Sequence, residues 1–121
     1  LLRAKRDVVV FEFCLHELPD PAAALEHARS LAGDVLVLDH LPESPWIYYA
    51  TEEKKVADSW QAVRSLSPRK FQKYETFQFF KDYEELRRKV EVMGEAAIIR
   101  IKPFLGRTDI TIPMSYGFAL V

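Results

Sequence analysis

The run Asp7-Val8-Val9-Val10-Phe11-Glu12-Phe13-Cys14 constrains this chain more than any other stretch. β-Branched and aromatic residues fill it almost without interruption, which suits a strand covered on both faces better than a half-exposed one. Residues 7–13 are expected to form that buried strand. Beyond Leu15-His16-Glu17-Leu18-Pro19, Asp20 offers an N-cap and Pro21 stands at the first helical position, where its missing N–H costs nothing. Ala24, Leu25, Ala28 and Leu31 give this helix an apolar face, and Gly33 suits a left-handed cap after an end near Ala32. Val35-Leu36-Val37-Leu38 forms a second buried strand, stopped by Asp39-His40 and the prolines Pro42 and Pro45. Strand, helix and strand make a βαβ unit, whose right-handed crossover sets the strands parallel. Both carboxyl ends then share one edge, where His16, Glu17, Asp39 and His40 gather. Ligands of open α/β sheets bind outside that edge, so these four residues are the first site candidates.

Composition narrows the function classes. A chain of 121 residues supports one core and one domain. With 17 Lys and Arg against 18 Asp and Glu it carries no electrostatic footprint for nucleic acid or an anionic membrane. A 49% hydrophobic share excludes disorder, and no apolar run approaches the roughly 20 residues that span a bilayer. Cys14, the single cysteine, cannot form an internal disulfide and is expected to be a small buried apolar group. The start at Leu1 is no signal peptide, so the expected compartment is the cytoplasm and the expected partners are small molecules or proteins.

Residues 42–81 hold most of the aromatic side chains and are expected to form a helical insert. A helix from near Thr51 carries Val56, Trp60 and Val63 on one face, and Ser67-Pro68 offers the start of another short helix. Trp46 and Tyr49 directly follow the second strand, which makes them candidates for a lid over an organic substrate, although aromatic rings more often pack a core. Arg64, Arg69, Lys70 and Lys73 are balanced by Glu52, Glu53, Asp58 and Glu75, which marks a solvated face rather than an RNA surface. Asp82 and Glu85 form a capping pair for a helix buried through Leu86, Val90 and Met93 and ended by Gly94. Residues 96–101, and residues 108–112 continuing through 118–121, read as two strands of an antiparallel hairpin, with Pro113 and Gly117 introducing a bend or bulge.

The order of these pieces, with Leu15-His16-Glu17-Leu18-Pro19-Asp20-Pro21 after the first strand and Gly33-Asp34-Val35-Leu36-Val37-Leu38-Asp39 at the second, resembles the C-terminal half of a class I S-adenosylmethionine-dependent methyltransferase of type 11. The resemblance implies an α/β, Rossmann-like half-sheet: two parallel strands with a crossover helix, a helical insert and a C-terminal antiparallel hairpin whose last strand lies beside the second. It implies S-adenosylmethionine as cofactor, contacted by Phe13 and Cys14, with His16 as catalytic residue and Glu17, Asp39, His40, Trp46 and Tyr49 toward a small-molecule acceptor. The family's glycine-rich cofactor turn has no counterpart here, since Gly33, Gly94, Gly106 and Gly117 stand alone. A partial domain, inactive by itself, is therefore expected. Its first strand would leave an open edge that favours a homodimer or pairing with the missing N-terminal half. The alternative is a non-catalytic α/β module that docks on a protein partner.

Several narrower possibilities attach to the same residues. His16-Glu17 lacks the second histidine of a zinc-protease helix, and Pro19 forbids the helix itself. His16, Glu17, Asp39 and His40 could make a mixed nitrogen and oxygen metal set, but no metal is expected. His16 as general base competes with His16 as a structural group, because methyl transfer often needs little beyond positioning. His27 is expected to be solvated.

Overall fold

The computed structural model describes residues 7–121. Strand β1 (Val8–Glu12) pairs in parallel with β2 (Asp34–His40), Val8 opposite Asp34 and Glu12 opposite Leu38. Helix α1 (Pro21–Leu31) crosses between them; the Asp20 carboxylate accepts from the Ala23 N–H at 3.0 Å, as an N-cap should. Its end differs from expectation: Ala32 is extended and Gly33 is not left-handed, while Leu31 is exposed.

Helices α2 (Pro45–Ala50) and α3 (Glu53–Arg64) come next, and α3 buries Val56, Trp60 and Val63 on one face as the spacing predicts. The next segment departs from the sequence reading. Ser67 takes a left-handed φ of 53°, no helix starts at Pro68, and residues Lys70–Asp82 form the long strand β3. The second half of the aromatic insert is therefore strand, as its density of Phe, Tyr and Thr favours. Helix α4 (Tyr83–Val90) is capped by Asp82, whose carboxylate accepts from the Glu85 N–H at 2.9 Å. It buries Leu86 and Val90 but leaves Met93 at the surface, and Gly94 (φ 105°) turns the chain. The expected strand at 96–101 is instead helix α5 (Glu95–Arg100). Ala97 and Ile101, four residues apart, share its buried side, while Ile99 faces water.

Strand β4 (Thr108–Leu120) pairs antiparallel with both β2 and β3, giving the sheet order β1-β2-β4-β3. The expected antiparallel pair exists, but its other strand is β3, and β4 lies beside β2 as the resemblance implies. Its pairing with β3 keeps one register from Lys70↔Leu120 to Asp82↔Thr108, with no bulge at Pro113 or Gly117. Pro113 lies past Tyr116, the last β2-paired residue, so β4 has a strand on one side there and tolerates a missing donor.

Side chains of β2 alternate. Val35, Val37 and Asp39 are buried, with Ala119 and Gly117 of β4 on the same face, and Leu25 and Ala28 of α1 and Trp60 of α3 join the core there. The opposite face carries Val8 and Val10, 48% and 52% exposed, beside half-buried Leu36 and Leu38. Strand β1 is thus an edge strand among the described residues, not a central one covered on both faces.

Gly117 sits in close contact on the covered face: an added Cβ would lie 2.8 Å from Leu41 Cδ2 and 2.8 Å from Phe71 Cε1. Gly117→Ala is expected to destabilise the fold by about 1–3 kcal/mol through overpacking, read as a lower midpoint in urea unfolding. An unchanged midpoint would show that Leu41 and Phe71 move aside freely.

Candidate functional site

Asp39 organises the carboxyl edge of the sheet. Its carboxylate is buried at the end of β2 and accepts three hydrogen bonds: from the His16 backbone N–H at 3.0 Å, from His16 Nδ1 at 2.7 Å and from the His40 backbone N–H at 2.8 Å. The chain reaches this geometry because Phe13 adopts a left-handed φ of 53° while its N–H bonds the Leu38 carbonyl at 2.6 Å, after which Leu15–Glu17 close a 3-10 turn. The convergence of His16 and Asp39 expected from parallel strands is present.

Two further carboxylates meet the far side of the His16 ring. Glu17 Oε1 lies 3.0 Å from Nε2, and Glu52 Oε1 lies 3.5 Å from the same atom. Glu52 is delivered by Thr51, left-handed at φ 57°, which ends α2 and points the chain into α3. Lys55, one turn into α3, stands 3.8 Å from Glu17 and 3.9 Å from Glu52. Glu17 and Lys55 border two clefts, of about 270 Å³ and 530 Å³.

The electrostatics arise from this crowding. Burial disfavours the His16 imidazolium, but hydrogen bonds to Asp39 and then Glu52 outweigh it and push the pKa up to about 10. The hydrogen bond from His16 holds Glu52 below the usual carboxylate range, whereas the hydrogen bond with Glu52 raises Glu17. At neutral pH His16 is a cation with both ring N–H groups turned to carboxylates. In that state it positions the strand ends and has no lone pair with which to take a proton from a substrate. His40 is the opposite case: burial lowers its pKa and keeps it neutral, and its Nδ1 has no hydrogen-bond partner among the described residues. The His40 carbonyl accepts from the Trp60 indole N–H, which docks α3 against the end of β2.

The other sequence candidates divide. Phe13 is half-buried beside His40, ring centroids 4.9 Å apart, and near Tyr116 at 5.7 Å. Cys14 is exposed rather than buried, because it lies in the turn beyond β1. Trp46 is a core residue, stacked on Phe80 at 5.7 Å, and Tyr49 packs against Tyr48 and Phe104. The expected lid pair thus packs within the fold and is not brought to the His16 cluster. Glu52 escaped sequence reasoning; an acidic residue ahead of a helix is ordinary, and its approach depends on the Thr51 turn.

No family model and no curated protein sequence matches this chain. Among solved structures, it is similar to a protein from Bacillus halodurans C-125 described as a putative methyltransferase, with a TM-score of 0.62 and 11% sequence identity. The match covers 97% of this chain and 64% of that one. At this identity the likeness concerns the fold, which is methyltransferase-like: an α/β, Rossmann-like half-sheet with parallel β1 and β2. No helix among the described residues is long and apolar enough to cross a membrane.

Two outcomes test the electrostatic account. His16 holds its proton to about pH 10 when folded but titrates near 6.5 when unfolded, so its stabilisation is complete below that lower value and falls as pH rises toward the upper one. Thermal unfolding in chelator-treated buffer should show this decline in the native chain and a flatter profile in His16→Gln; parallel profiles would refute it. Asp39→Asn should cost about 3–5 kcal/mol in denaturant unfolding, because it strips a buried cation of its main counter-charge.

Proposed function

We propose that this chain is the C-terminal portion of an S-adenosylmethionine-dependent methyltransferase acting on a small molecule, and that it does not complete the cofactor site alone. The observation that carries this reading is the sheet itself. A β1-β2-β4-β3 half-sheet with polar groups at the carboxyl edge of its parallel strands leaves the outer edge of β1 unpaired among the described residues. One face there is apolar yet open, with Val8 and Val10 about half exposed. Paired β-structure and covering helices from an N-terminal half would remove that liability. A second copy of this chain is the competing occupant.

S-adenosylmethionine, when bound, supplies an electrophilic methyl group on a sulfonium sulfur. Phe13 and Cys14, at the end of β1, would form this chain's part of its binding surface. No described glycine lies in the turn after β1, so close backbone approach to the cofactor must come from elsewhere. His16 acts as a positioning residue, holding the ends of β1 and β2 together, while Glu17 and neutral His40 face the acceptor side. Transfer then depends on alignment of the acceptor with the methyl group rather than on proton abstraction by His16.

The experiment is calorimetric titration with S-adenosylmethionine of two polypeptides: this chain, and the same chain in continuity with the polypeptide encoded immediately upstream. Saturable binding to the longer product and none to the shorter is expected, with Phe13→Ala weakening the former. Saturable binding to this chain overturns the incomplete-site claim. Failure of the longer product to bind overturns the methyltransferase reading.

A further inference from the structure

Nε2 of His16 carries at most one hydrogen, yet two carboxylates converge on it, Glu17 Oε1 at 3.0 Å and Glu52 Oε1 at 3.5 Å. Nδ1 is already committed to Asp39 at 2.7 Å. Lys55, which approaches both carboxylates, is 3.8 and 3.9 Å away, too far for a hydrogen bond. A histidine and a glutamate that are 4% and 8% exposed thus meet a half-exposed glutamate with one ring hydrogen of His16 facing both carboxylates. From this geometry we infer that His16 Nε2, Glu17 and Glu52 bind one divalent transition-metal ion of the zinc class, with Asp39 fixing the imidazole from behind.

The dimensions fit such an ion. Metal bonds of about 2.1 Å place neighbouring ligand atoms about 3.0 Å apart in an octahedron and about 3.4 Å apart in a tetrahedron. The two nitrogen-to-oxygen separations already have these lengths, and the three ligand atoms all lie within 4.8 Å of one another. A carboxylate accepting from the remote nitrogen of a metal-bound histidine is the usual outer-shell arrangement, and Asp39 occupies that position. An imidazole with two carboxylates favours ions such as Zn²⁺ or Mn²⁺ over Mg²⁺ or Ca²⁺, which take oxygen ligands. Once His16 gives up its Nε2 proton to bind the metal, Asp39, Glu17 and Glu52 against the ammonium of Lys55 leave two negative charges, which the ion neutralises. On binding, the Nε2 proton passes to solvent and the nitrogen lone pair goes to the metal. The two clefts at Glu17 give the ion access and leave room for water in its remaining positions. None of this depends on the methyltransferase reading.

The test is titration of the chelator-stripped chain with Zn²⁺ alone, in a Cys14→Ser background that removes the exposed thiol. One ion per chain is expected, weakened at least about tenfold by Glu17→Gln and by Glu52→Gln, and unchanged by His27→Ala, which deletes an exposed histidine elsewhere. Glu17 is half-exposed, so its variant keeps the fold, which far-UV circular dichroism verifies. Co²⁺ in place of Zn²⁺ gives a visible spectrum that Glu17→Gln alters. Absence of stoichiometric uptake, or uptake undiminished in both glutamine variants, overturns the assignment.

Discussion

A buried carboxylate has to be satisfied, and the end of this sheet is built around satisfying Asp39. Its three donors come from two places in the chain, His16 beyond β1 and His40 at the end of β2, so one side chain fixes the relative position of both strand ends. An uncompensated charge there would cost several kcal/mol, a large share of what a small fold has in hand. The constraint propagates outward. His40, held by Asp39, presents its carbonyl to Trp60, and Trp60 seats α3, whose approach brings Glu52 to the other edge of the His16 ring. Remove Asp39 and the cluster loses its reason to be where it is.

What could be read in advance was local and periodic. Asp20-Pro21, the spacing of Leu25 and Ala28, and the two apolar runs specify a βαβ unit through capping, amphipathicity and crossover handedness, and that unit alone put His16 beside Asp39. The misreadings share a different cause. Ala96-Ala97-Ile98-Ile99 is apolar enough for a strand, but the turn at Gly94 and burial at a four-residue interval make it a helix, and short apolar runs do not distinguish the two. Ser67-Pro68 has a helix-start composition, yet the segment beyond it is held as strand by twelve pairings to β4, which lies far ahead in the chain. Glu52 belongs to this second kind. Its role comes from a single left-handed residue, Thr51, and from where α3 docks, neither of which has a signature in the neighbouring residues.

The two faces of the sheet make different demands. One is packed closely enough that a methyl group on Gly117 would have to displace Leu41 and Phe71, while the other shows valine to water at β1. Evenly buried strands need helices on both sides, and the helices α1 and α3 serve the face of Val35 and Val37. The asymmetry leaves β1, among the described residues, with an unpaired edge and one uncovered apolar face beside the carboxyl ends of the parallel strands.

The last of the described strands lies in the middle of the sheet. β3 contacts β2 only through β4, so a nascent polypeptide cannot add strands in the order in which the ribosome delivers them. Until Thr108–Leu120 inserts, the backbone of β3 and the inner edge of β2 must wait without partners, and Phe80, buried in the finished fold opposite Ile110, stays uncovered. Such long-range closure is slow and leaves adhesive segments uncovered in the interval. This topology makes closure of the sheet wait on β4, because neither β2 nor β3 gains its inner neighbour before that strand is in place.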